Sequence, residues 1–119
     1  MQATDELGLE HTCGSEESIR RFSSVINRYL RYATDTMDRL QPVIEVDPRF
    51  ATGLIFKCYQ LKMASDPRFK TVIQQTIIEL SNLELNDRES RHLAAIQAWF
   101  VDDLQTVSQI LDELLALYP

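Results

Sequence analysis

The chain has 119 residues, 45% hydrophobic and 25% charged, which is enough for one globular domain and outside the low-hydrophobicity, high-charge range of disordered chains. Its net charge of −6, from 18 acidic against 12 basic residues with no long Lys or Arg run, argues against nucleic acid as a partner. No apolar run approaches the roughly 20 residues of a bilayer span, and Met1-Gln-Ala-Thr-Asp-Glu6 lacks the basic and apolar parts of a signal peptide, so a cytoplasmic protein without a membrane partner is expected.

Residues 1–14 mix Asp5, Glu6, Gly8, Glu10 and Gly14 with scattered apolar residues and show no helical period. They are expected as an extended arm that packs through Leu7 and Leu9. A helical domain follows over 15–119. Ser15 is a plausible N-cap, with Glu16 and Glu17 in the first turn, where the helix dipole favours acidic groups. From there Phe22, Val25, Ile26, Tyr29, Ala33, Met37, Leu40 and Ile44 form one apolar stripe that runs to Asp47-Pro48. The stripe fits one long helix or two. Pro42 predicts a bend near Leu40, and a break near Tyr32 is the alternative. Arg20, Arg21, Arg28, Arg31 and Arg39 gather on this segment, but Asp35 and Asp38 sit among them, as on a solvated helix face.

Asp47-Pro48-Arg49-Phe50 and Asp66-Pro67-Arg68-Phe69 are the same four residues, each reading as an Asp N-cap before a proline at the first helical position. Between them Phe50, Leu54, Ile55, Phe56, Cys58, Tyr59, Leu61 and Met63 are apolar on almost every side, which predicts a central helix. After Pro67, Val72, Ile73, Ile77, Leu80 and Leu83 line one stripe, with Gln74, Gln75 and Glu79 facing away. Asn86 with Glu89 three residues on reads as a capping box for a helix over about 87–101. Asp102-Asp103 then makes a turn into a last helix whose apolar face is Leu104, Val107, Ile110, Leu111, Leu114, Leu115 and Leu117. Nothing in the sequence covers that face.

Val43-Ile-Glu-Val-Asp-Pro48 and Leu114-Leu-Ala-Leu-Tyr-Pro119 read as the same helix ending, about two repeat units of 34 residues apart. The expected fold is therefore all-α, an antiparallel stack of about five or six helices in hairpin units over about 15–48, 49–85 and 86–119. Such a stack builds a surface for holding something rather than a reactive pocket.

The final unit resembles the tetratricopeptide pattern: Ala95 is the small residue of its first helix, Asp102-Asp103 stand at the turn, and Leu104, Val107, Leu111, Leu114 and Pro119 fall on later pattern positions. Asp102 replaces the small turn residue of the pattern, and Val107 and Leu114 stand where Ala is usual. The wider arrangement resembles the tetratricopeptide repeat protein 38 family, through Thr12-Cys-Gly-Ser15, Val43-Ile-Glu-Val-Asp-Pro-Arg-Phe50, Arg91-His-Leu-Ala-Ala95 and the Trp99 to Asp103 turn. The resemblance implies a right-handed stack of hairpins and no enzymatic activity. Members of that family look longer, so it also implies that this chain matches their N-terminal part, either as a fragment or as a homo-oligomer joined through its last helix. By the same pattern the first helix of a hairpin lines the concave groove, which puts Glu89, His92, Ile96 and Trp99 forward as partner-binding residues.

Glu89-Ser-Arg-His92 also has the Glu-x-x-His spacing of a di-metal bundle ligand pair, but such a centre needs two of these motifs and one is present. Cys13 near His11, or Cys58, would need an imidazole to make a thiolate nucleophile, and Cys58 lies on the apolar central helix. The two cysteines read as free thiols. The absence of a Gly-rich phosphate loop, a Gly-x-Ser-x-Gly elbow and a Cys-x-x-Cys pair leaves no cofactor motif. The function expected is therefore non-catalytic binding of a protein or peptide, favouring a basic segment. The alternatives are a metal- or thiol-dependent enzyme using Glu89 and His92 or Cys13 and Cys58, and an accessory helical part of a larger enzyme.

Overall fold

The structure, a computed structural model, describes the backbone of residues 1–30 and 36–118. The break weighed near Tyr32, the Tyr29, Ala33 and Met37 positions of the first stripe, the Arg28, Arg31, Asp35, Asp38 and Arg39 side chains, and Pro119 lie outside the described residues. Among those described, a two-stranded hairpin precedes six helices: β1 (Gln2–Thr4), β2 (Glu10–Thr12), α1 (Glu17–Leu30), α2 (Thr36–Val46), α3 (Ala51–Met63), α4 (Lys70–Ser81), α5 (Asp87–Phe100) and α6 (Leu104–Leu117). The body is helical, as expected, and the first stripe is divided between α1 and α2.

The arm departs from expectation. β1 and β2 pair antiparallel with Gln2 opposite Thr12 and Thr4 opposite Glu10. The turn between them is built by Asp5, whose Oδ1 accepts from the amides of Leu7 and Leu9 at 2.9 and 3.0 Å. The Asp5 amide in turn donates to the Leu9 carbonyl at 2.9 Å. Gly8 closes the turn at φ +83°, a left-handed conformation that a side chain would strain. Leu7 is 86% exposed, so the arm does not pack through it. It packs through Ala3, His11, Thr12 and Cys13, which are buried.

α3 is the central helix. Ala51, Leu54, Ile55, Cys58 and Leu61 are buried on it, and it packs against α2, α4, α5 and β2. Phe50, just before it, is fully buried and meets the edge of the Phe22 ring at 5.4 Å. α5 lies against α3, α4 and α6, and α1 against α2. α4 buries Ile73, Thr76 and Leu80, while Val72, expected on its inner stripe, is exposed. Pro42 lies inside α2, which continues through it to Val46.

The two Asp-Pro-Arg-Phe segments share a local device and then diverge. Asp66 accepts from the Arg68 amide at 2.9 Å and caps a 3-10 turn, Pro67–Phe69, that leads into α4. Asp47 accepts from the Arg49 amide at 3.2 Å in the same way, yet α3 begins only at Ala51, without a side-chain cap at Phe50. The rest of the Asp47 carboxylate is turned to the arm. It accepts from the amides of Gly14 at 2.9 Å and Ser15 at 3.1 Å and from the Ser18 hydroxyl at 2.5 Å. A Cβ on Gly14 would stand 2.7 Å from Asp47 Oδ1, so this close approach requires glycine.

Candidate functional site

The polar chemistry of the molecule converges where the hairpin meets the start of α5. Asn86 and Glu89 form the expected capping box: the Glu89 amide donates to Asn86 Oδ1 at 2.9 Å, and the Asn86 amide donates to Glu89 Oε1 at 3.1 Å. Glu89 has a second task that local sequence does not reveal. Its carboxylate accepts from the Thr12 amide at 2.7 Å and from the Thr12 hydroxyl at 2.5 Å, which leaves the side chain 0% exposed. Asn86 Nδ2 and Arg88 Nη2 each donate to the Glu10 carbonyl at 2.9 Å. The α5 cap thus doubles as the dock for β2.

A second buried group ties the hairpin to α3. His11, 5% exposed, places Nε2 at 2.7 Å from Asp5 Oδ2 and Nδ1 at 2.5 Å from Thr52 Oγ1. Arg88 Nη2 lies 3.3 Å from the same Nδ1. A guanidinium only donates, so we assign Nδ1 as the acceptor and put the proton on Nε2, facing Asp5. Burial pushes the Asp5 carboxyl up, but hydrogen bonds from His11 and from the Leu9 and Leu7 amides outweigh it and hold the group below its usual value. Asp5, His11 and Thr52 stand in the order of a nucleophile relay, yet the imidazole is enclosed against the Phe50 ring, 6.0 Å between centroids. What the relay does here is clamp β2 onto α3.

The four sequence-predicted contact residues separate into different environments. Glu89 and Ile96 are buried, which corrects their placement on an open groove: one is spent on Thr12 and the other lies in the core. His92 and Trp99 are half-buried around Tyr59, at 5.7 and 6.2 Å between ring centroids. The Tyr59 hydroxyl stands 2.8 Å from His92 Nδ1. Burial raises the Tyr59 pKa and keeps this hydroxyl protonated, so it donates to an unprotonated Nδ1. Glu89 and His92 therefore turn to different partners, and no cluster of three or more potential metal-ligating residues occurs among the described residues.

Burial, and then the charge of Arg88, push the His92 imidazole down from 6.5 to about 4. The unfolded chain therefore takes up a proton here as pH falls through about 6.5, while the folded chain does so only near 4, and stability is lost across that window as pH falls. In urea titrations at pH 7 and 4.5, His92→Phe, which keeps the ring against Tyr59, is expected to remove about 2 kcal/mol of the acid-side loss. An unchanged difference between the two pH values would show that His92 does not contribute to it.

The cysteines are free and buried. Burial raises both thiols, Cys58 to about 12, and Asp47 adds to the shift at Cys13. Such thiols are protonated at neutral pH and are poor nucleophiles.

An apolar surface is open beside α6. A cleft of ≈ 340 Å³ is lined by Leu9, Arg88, His92, Leu111, Leu114, Leu115 and Tyr118. It continues onto the outside of α6. There Leu104 and Leu115 are 62% and 68% exposed, while Val107 and Leu114 are buried and Leu117, 54% exposed, lies on the other flank of the helix. The apolar arc of α6 is therefore wider than its neighbours cover. At the end of the helix the Tyr118 hydroxyl donates to Asp87 Oδ2 at 2.8 Å, which pins the rim of the cleft to the start of α5.

The chain matches no protein-family model, and neither the curated proteins nor the solved structures contain a match to it. No helix among the described residues is long and apolar enough to cross a membrane.

Proposed function

We propose that the chain is a non-catalytic protein-interaction and assembly module of the tetratricopeptide type, and that the open face of α6 joins it to a second copy. The reading draws support from the helix neighbours. The first helices of the second and third units, α3 and α5, touch each other, and the second helix of each unit touches the first helix of the next, α2 with α3 and α4 with α5. Stacked helical hairpins have neighbours of this kind.

The observation that carries the function is the uncovered apolar edge of α6. Leu104, Leu111 and Leu115 recur at seven- and four-residue steps and form one line along the helix. Exposed Leu104 and Leu115, with half-buried Leu111 on the line between them, support a protein contact at this edge. The open cleft beside it, with Arg88 and His92 at its polar wall, gives the second copy a concave seat.

Light scattering over a concentration series tests this. The native chain is expected to dimerise, and Leu104→Glu with Leu115→Glu is expected to weaken association by about 100-fold while leaving the helical spectrum intact, because both side chains are already exposed. A native chain that stays monomeric at high concentration would overturn the assembly reading.

A further inference from the structure

Among the described residues, only one of the two edges of the hairpin is covered. The Met1 carbonyl accepts from the Cys13 amide at 3.0 Å, and the Asp5 amide donates to the Leu9 carbonyl at 2.9 Å. In an antiparallel pair, hydrogen-bonded positions alternate, so the odd residues of β1 face β2 and the N–H and C=O groups of Gln2 and Thr4 point away from it. The same alternation turns Glu10 and Thr12 outward on β2, and there the structure supplies partners. The Glu10 carbonyl takes Asn86 and Arg88, and the Thr12 amide takes Glu89. Among the described residues no protein group meets the outward backbone of Gln2 or Thr4.

That open edge forms one wall of a cavity of ≈ 490 Å³ whose opposite wall is α1. Ile19, buried in the core, contributes an apolar surface to it. Glu6 and Glu16 line it too, and its one cation, Arg20, is already held by Glu17 at 3.0 Å. The groove therefore offers backbone donors and acceptors without a partner among the described residues, one apolar contact and an excess of negative charge.

We propose that this groove accepts an extended peptide segment as a third strand on β1, with apolar residues alternating with Lys or Arg. Main-chain hydrogen bonds to Gln2 and Thr4 hold the segment, an apolar side chain meets Ile19, and the basic side chains face Glu6 and Glu16. The site is on the opposite edge of the hairpin from the α5 cap and does not depend on the α6 interface.

The probe is a capped hexapeptide of alternating Lys and Val, titrated into the isotope-labelled full chain while amide resonances are followed. The Gln2 and Thr4 signals are expected to move. Methylating the backbone nitrogens on one edge of the peptide is expected to weaken binding by about tenfold, and methylating those on the other edge to leave it unchanged. Replacing Lys by Glu in the probe should also weaken it by about tenfold. Thr4→Pro removes only an outward donor, so it should reduce binding similarly without shifting the unfolding midpoint. Equal affinity for both methylated probes, shifts confined to Leu115 and Tyr118, or no binding at millimolar peptide would overturn the proposal. Movement of the Gln2 and Thr4 signals on concentrating the chain alone would assign the edge to a second copy instead, and overturn it as well.

Discussion

Glu89→Ala is expected to destabilise the protein by about 4 kcal/mol in urea unfolding, the largest single effect outside the apolar core. The loss comes from the donors left behind. The Thr12 and Asn86 amides both lie against this carboxylate, and its complete burial leaves no water to replace it. Glu89→Gln separates charge and geometry from shape. It keeps an oxygen for the Thr12 hydroxyl and the Asn86 amide but sets an NH2 group against the Thr12 amide, so an intermediate loss of about 2 kcal/mol is expected. If Glu89→Ala unfolds at the urea concentration of the native chain, the hairpin is not docked through this residue.

Asp47→Ala is expected to cost about 3 kcal/mol by the same measurement, because it strands the Gly14, Ser15 and Arg49 amides and the Ser18 hydroxyl. Asp66→Ala is its control. It begins the same four residues, but its bonds are exposed and local, to Arg68 alone, and a far smaller loss than for Asp47→Ala is expected. Combining Glu89→Ala with Asp47→Ala should cost less than the sum of the two, since both release the same arm and it can be lost only once. Full additivity would mean that the two carboxylates hold independent structures.

Those two Asp-Pro-Arg-Phe segments show how far the sequence could be read. The helices after Phe50 follow from local pattern: the all-round apolar character of α3, the Asn86 and Glu89 capping box, and the Asp102-Asp103 turn into α6 are each decided by residues within a few positions. What separates Asp47 from Asp66 is the Gly14-Ser15 loop and Ser18 at the start of α1, about thirty residues earlier, and no periodicity reports that. The hairpin carried a local signal that the absence of helical period obscured. Asp5-Glu6-Leu7-Gly8 places an Asp at the first and a Gly at the fourth turn position, the pattern of a tight turn closed by a left-handed glycine. The contact residues Glu89 and Ile96 were misplaced for a related reason: a helical repeat leaves one face of its first helix open, and here the arm and α3 occupy it.

The bond from Thr12 to Glu89 joins residues 77 apart in the chain. During synthesis the hairpin emerges first, yet its dock does not exist until α5 has followed it, about 4–15 s later at ordinary elongation rates. Over that interval the β2 edge that α5 will cover, the Glu10 carbonyl and the Thr12 amide, is open to other strands. The contact that covers the β2 edge thus closes late on the ribosome, so a chaperone that shields the nascent N-terminus would act on this protein for as long as α5 is missing.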